Sequence, residues 1–246
     1  YFVVNEGATT EVVCPVGTYS PGPGLFGCVE ANSGSFVGVE GAFVQEECPV
    51  GKFSSSPSST ECSLCPKGEF NSETGKSGCK PATSGHFVAS EGASREEPCQ
   101  PGTFASGSGN VECSDCNPGS YSDADAASAC TRAKHGHFVA EPRATSPEKC
   151  EVGRYAPGEG SSSCTDANAG FYVADEAAKK QTPCPPGSYS VTAASTCNPC
   201  AAGEFSADEG KASCTSCAAG KSSPEGATDC SKCERGTAKP AGPGEC

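Results

Sequence analysis

Residues 79–99 read CKPATSGHFVASEGASREEPC, with the flanking cysteines twenty positions apart. The segment before it, residues 62–79, reads CSLCPKGEFNSETGKSGC. Both carry a Gly, one intervening residue and a Phe: Gly68 with Phe70, then Gly85 with Phe87. In the earlier segment Cys65 stands three residues before the Gly, and in the later one Ala82 holds that place. Fourteen residues beyond Ala82 lies Glu96, and three further lies Cys99. The twenty-residue gap is thus a joint of three, a module of fourteen and another joint of three, with the module's own cysteines replaced.

The whole chain obeys this arithmetic. Gaps between successive cysteines are 3, 13 or 14, and 20 residues. The other long gaps resolve in the same way, with Ala31 and Gln45, Ala133 and Pro147, and Ala167 and Gln181 in the cysteine places. Phe2-Val3 through Glu11 to Cys14 fits the end of one more module. A fixed short period marks a repeat architecture. Residues 1–246 therefore read as a single tandem array: a partial module over 1–13, then modules starting at 14, 31, 48, 65, 82, 99, 116, 133, 150, 167, 184, 200, 217 and 233. Because Tyr1 falls inside a module, the chain reads as a piece of a longer exported protein.

The missing cysteines are informative. They are absent as four complete pairs, and ten modules keep both. If two cysteines bond to each other, loss of one leaves a reactive thiol, so the two should be lost together. This predicts bonds inside modules: Cys14–Cys28, Cys48–Cys62, Cys65–Cys79, Cys99–Cys113, Cys116–Cys130, Cys150–Cys164, Cys184–Cys197, Cys200–Cys214, Cys217–Cys230 and Cys233–Cys246. Two other pairings stay open at this point, since spacing does not fix connectivity. Bonds across the joints, such as Cys62 to Cys65, would leave Cys14 and Cys246 without partners, and an interleaved pattern suits only the C-terminal run.

Most modules share a template of Cys or Ala, then Gly three residues on, then an aromatic residue at the sixth position. The aromatics are Phe2, Tyr19, Phe36, Phe53, Phe70, Phe87, Phe104, Tyr121, Phe138, Tyr155, Tyr172, Tyr189 and Phe205. Short runs between recurrent glycines suit brief strands, and no apolar stripe of helical period appears. Such modules are too small to stand alone and are expected to share backbone hydrogen bonds and cover one another's aromatics. The cysteine-free modules carry Val after the aromatic, as at Val37, Val88, Val139 and Val173, where others carry Ser, Asn or Ala. The Val reads as apolar area replacing a sulfur bridge, or as the mark of a second ancestral module type.

Composition agrees. The chain has 20 Cys, 31 Gly and 20 Pro, no Met or Trp, and only 7% aromatic residues. That is a disulfide scaffold suited to an oxidising compartment, not a single large core. The expected fold class is small, disulfide-rich and all-β: an elongated repeat rod of stacked 16–17-residue hairpin-like modules. A net charge of −13 without a basic run excludes a nucleic-acid binder. No apolar run reaches membrane-spanning length.

No catalytic, cofactor or metal site is expected. The C-x-x-C pairs have zinc-knuckle spacing, but Cys14, Cys28, Cys150 and Cys164 would belong to no knuckle. His135 and His137 offer only two ligands, and His86 and His137 occupy a place that Ser35 and Phe171 fill elsewhere. Serine-rich runs such as 54–60 suit O-linked glycans in an exported chain.

The run C-P-x-G-x-[YF]-S, as in Cys14-Pro15-Val16-Gly17-Thr18-Tyr19-Ser20 and Cys184-Pro185-Pro186-Gly187-Ser188-Tyr189-Ser190, together with the C-x-x-C joints, resembles the ephrin-receptor-like cysteine-rich repeat. That repeat is related in pattern to tumour-necrosis-factor-receptor modules. The resemblance implies first-to-second cysteine bonding and an extracellular or cell-surface location. It also implies a role in receptors, matrix proteins or flagellar hairs of the mastigoneme kind. The Ala modules depart from the family pattern. The expected function is a structural segment of a filament, surface coat or flagellar hair that assembles with itself or with other extracellular proteins. A receptor or adhesion ectodomain is the alternative.

Overall fold

Each module supplies one two-residue strand directly after its first glycine, and the joint that follows supplies the partner strand. In the computed structural model, which describes residues 2, 3, 11–22 and 27–233, these strands form fourteen separate two-stranded antiparallel sheets. In the module that starts at Cys14, Thr18 faces Glu30 and Tyr19 faces Val29. In the module that starts at Cys48, Lys52 faces Leu64 and Phe53 faces Ser63, so the two residues between Cys62 and Cys65 are themselves a strand. The sequence assigns strands to the stretches between glycines and treats the C-x-x-C as a mere connector. The structure makes the connector half of every hairpin. No helix occurs among the described residues.

Hairpins this short are not stable singly. Neighbouring modules hold them with a repeating set of backbone bonds. Gly17 N–H donates to the Val37 carbonyl at 2.8 Å, Ser20 N–H to Ala42 at 3.0 Å and Gly41 N–H back to Cys14 at 2.8 Å. Ala31 N–H closes the joint onto the Gly17 carbonyl at 2.9 Å. The set recurs further along, where Gly136 donates to Ala156, Val139 to Ser161, Gly160 to Ala133 and Cys150 to Gly136.

The chain divides into two compact units, one of Tyr1–Asp115 with Ala124–Cys130, the other of Cys116–Asp123 with Thr131–Cys246. Each has the same kind of interior, a column of small residues. The first position of every described module, whether Cys or Ala, is at most 1% exposed from Cys14 to Cys217. The seventh position is buried too, as Ser20, Val37, Ser54, Asn71, Val88 and their equivalents. The described aromatic side chains from Tyr19 to Phe205 in the sixth position are only half-buried. Among the described residues the most deeply buried positions are thus the small ones, with the aromatics partly covered. Phe2 is described in its backbone alone, in the pair with Val12.

The fourth-position glycine is where this close stacking shows its physical demand. Gly136 has φ +77°, and a Cβ placed on it would run into the carbonyl oxygen of Ala177, two modules ahead. Only a residue without a side chain lets the backbones meet there. The partner position in that contact, the eleventh, is also left-handed, including at Ala177 (φ 53°) and Arg143 (φ 60°).

Candidate functional site

The feature with most chemistry is the closure of each module loop, and it is built in two ways. In cysteine-bearing modules a disulfide joins the buried first position to the half-buried fourteenth or fifteenth. Eight are described in full: Cys14–Cys28, Cys48–Cys62, Cys65–Cys79, Cys99–Cys113, Cys150–Cys164, Cys184–Cys197, Cys200–Cys214 and Cys217–Cys230. Their Cα atoms lie 5.6–5.7 Å apart. Cys116, Cys130 and Cys233 are also disulfide-bonded, and Cys246 lies outside the described residues. The two sulfurs of each C-x-x-C joint thus belong to different loops, as Cys62 and Cys65 do.

Three of the four cysteine-free modules close the same loop with a side chain. Gln45 Oε1 accepts the Asn32 backbone N–H at 2.8 Å, and Gln181 Oε1 accepts that of Asn168 at 2.7 Å. Glu96 Oε2 accepts the Thr83 N–H at 2.6 Å, and its Oε1 takes the Thr83 hydroxyl at 2.9 Å. Pro147, in the fourth, has no side-chain acceptor to offer. Sequence reading missed this device. The signal was there, since three of the four residues in the second cysteine place carry a side-chain carbonyl, but it is visible only once those positions are aligned.

A second exchange goes with the first. Cys217 Sγ lies 3.4 Å from Ser223 Oγ, so the first and seventh positions of a module touch. Where Ala replaces Cys, Val replaces Ser: Ala31 with Val37, Ala82 with Val88, Ala133 with Val139 and Ala167 with Val173, all 3% exposed or less. Volume is returned to the column where sulfur is lost, which is the kind of swap cores tolerate best. Some polar seventh residues bond backbone in the module before, as Asn71 Nδ2 donates to the Lys52 carbonyl at 2.9 Å and Ser190 Oγ to that of Phe171 at 2.8 Å, while others bond their own module, as Ser20 Oγ donates to the Gly22 carbonyl at 3.0 Å. No buried side-chain nitrogen or oxygen lacks a partner among the described residues.

A hollow among the described residues is lined by Phe138, Glu148, Lys149, Glu151, Arg154, Ser163 and Cys164. Arg154 Nε is paired with Asp166 at 2.7 Å across its hairpin. The histidines are not gathered into a site: His137 Nδ1 sits 3.2 Å from the His135 carbonyl, and His135 Nδ1 lies 4.0 Å from Glu159. No group of three or more His, Cys, Asp or Glu able to hold a metal occurs among the described residues.

This arrangement, a hairpin per module with loop-closing cystines and C-x-x-C joints, agrees with comparison to known families. Residues 187–224 match the family described as tyrosine-protein kinase ephrin type A/B receptor-like. That segment is similar to an ephrin-receptor-like repeat. It covers Gly187, Tyr189 and the joints at Cys197–Cys200 and Cys214–Cys217, and the same disulfide pattern recurs outside it. A comparison with curated proteins finds no match. The ephrin-receptor-like repeat and the density of disulfides point to an extracellular domain. No helix among the described residues is long and apolar enough to cross a membrane.

Proposed function

We propose that this chain is a structural segment of an extracellular assembly, a filament, surface coat or flagellar hair, built by contacts between copies of itself. The supporting observation is the uniformity of the joint. The same backbone bonds recur whether a module is closed by sulfur or by a glutamine, so each unit repeats one kind of joint. Disulfide-rich repeats of this kind are typically non-enzymatic, and the scaffold offers spacing and stiffness in place of a reaction centre. Exposed serines such as Ser55 and Ser56 would carry O-linked glycans without disturbing the buried column.

Electron microscopy of the oxidised protein at increasing concentration tests the reading. Ordered fibres or sheets are expected, and particles that stay monodisperse and monomeric overturn it. One observation favours a receptor or adhesion ectodomain as a second reading: exposed apolar side chains among the described residues are concentrated in the N-terminal modules, with Val111, Val152 and Val191 the exceptions.

A further inference from the structure

Tension along the chain meets the two kinds of module differently. In a bridged module the load enters at one cysteine and leaves at the other, over a covalent path that sets the Cα atoms 5.6–5.7 Å apart. The residues inside the loop are bypassed, and so are the hydrogen bonds they make. In a cysteine-free module the load has to run through the loop backbone and the bonds that hold the loop shut. Those bonds are graded. Gln45 Oε1 holds one N–H, that of Asn32, and Gln181 Oε1 holds that of Asn168. Glu96 holds Thr83 more firmly, with the N–H at 2.6 Å and the hydroxyl placed between its two oxygens at 2.9 and 3.0 Å. Pro147 supplies no side-chain acceptor. Hydrogen bonds pulled apart are replaced by bonds to water, whereas a cystine stays joined until a thiolate attacks it.

Contacts with neighbours do not separate the two kinds. Around the module that starts at Ala31, Gly34 N–H donates to Ser54, Val37 N–H to Ser59 and Ser58 N–H back to Ala31. Around the bridged module that starts at Cys48, Gly51 N–H donates to Asn71, Ser54 N–H to Lys76 and Gly75 N–H back to Cys48. The load path is what distinguishes them. Their order along the chain matters too. Cysteine-free modules start at Ala31, Ala82, Ala133 and Ala167, and each has a cysteine-bearing module on either side. From Ala31 to Gln45 is fourteen intervals, a span of about 50 Å when drawn out. A bridged loop of the same length keeps its ends 5.7 Å apart. Opening one cysteine-free loop therefore frees about 40–45 Å of chain.

We propose that the four cysteine-free modules are the extensible links of the array. Under tension each opens, lengthens by that amount and recloses on release, while the bridged modules between them keep their length. Forced opening follows the rate of opening, so the links yield in the order of their clamps. The module that starts at Ala133 gives way at the lowest force and the one that starts at Ala82 at the highest. The proposal deepens the reading of the chain as a segment of an extracellular assembly, and it rests on that reading for the source of the tension.

The test pulls the oxidised full chain between DNA handles at its two ends in optical tweezers. Four reversible steps of about 40–45 Å each are expected. A167C/V173S/Q181C, with its added bridge confirmed by mass mapping, should show three. Glu96→Ala should keep all four steps and lower the force of one. Reductant should add steps of similar length from the modules that the bridges had held shut. Opening of the oxidised wild-type chain in one concerted event overturns the proposal, as does a bridged variant that still shows four steps. An unchanged force profile in Glu96→Ala overturns the assigned order of opening. Protein that forms fibres yet opens in one event keeps the assembly reading and overturns this one. Stepped opening in a chain that stays monomeric in electron microscopy supports the links and overturns the assembly.

Discussion

The backbone N–H of Asn168 donates to Gln181 Oε1 at 2.7 Å, spanning the interval that a cystine bridges in other modules. The two closures act on different states of the chain. A disulfide closing a loop of about fifteen residues contributes about 3 kcal/mol, chiefly by restricting the unfolded chain. A hydrogen bond exists only once the module has folded and contributes about 1 kcal/mol net. Gln181→Ala should therefore cost about 1 kcal/mol in chemical denaturation. Converting the module to the cystine type by A167C/V173S/Q181C should form the bridge spontaneously and raise stability by up to about 3 kcal/mol. Mass mapping of the unreduced protein and its denaturation midpoint check both.

The same difference predicts where the array opens first. Modules without cystine should show lower free energies of local opening than their neighbours. Amides of residues 31–47 and 167–183, such as Val37 and Val173, should exchange hydrogen faster than those of residues 48–64. Reduction should abolish that contrast, because it removes only the cystine advantage.

Gly136 and Ala177 define a contact that tolerates no added atom on one side and a strained backbone on the other. Gly136→Ala is expected to cost more than about 2 kcal/mol, since it combines a positive φ with a collision against a carbonyl. Ala177→Gly should stabilise by up to about 1 kcal/mol, because a non-glycine residue in the left-handed region carries a cost of that order. Equilibrium unfolding of the two single variants tests the opposite signs.

Glu73 offers a titration test. Its carboxyl is held below the usual carboxylate range by the hydrogen bond from Lys76, then by the charges of Lys76 and Lys80. Lys76 Nζ lies 2.8 Å from Glu73 Oε2. A carboxylate with a lowered folded pKa contributes stability above its unfolded pKa and loses it as pH falls through the folded value. Lys76→Met should move the Glu73 titration upward in NMR, and any stability difference from wild type should vanish at acid pH. The pair is exposed, so the difference should be small.

The repeat class was legible because it rests on residues that admit few substitutes. Gly17 and Gly136 meet a neighbouring backbone, and a cysteine without its partner is a reactive thiol. The second strand of each hairpin was hidden for the opposite reason. The joint residues are Ser63-Leu64 in one module, Asn198-Pro199 in another and Ser231-Lys232 in a third. Their side chains face solvent and only the backbone pairs, so no compositional pattern marks them. The seventh-position column was obscured because Ser20, Asn71, Ala105 and Val37 serve one place with different chemistry. The acceptors Gln45, Glu96 and Gln181 look unrelated until it is seen that each presents an oxygen to the same N–H.

The reach of Gly136 to Ala177, two modules on, also bears on how such a chain can change its length over generations. Duplication or excision of a complete unit restores every neighbour relation on both sides of the seam. A lone deletion between the first and seventh residues would throw two successive neighbours out of step. The modules starting at Cys184 and Cys217, each one residue shorter within the cystine loop, show where the pattern has room to shrink.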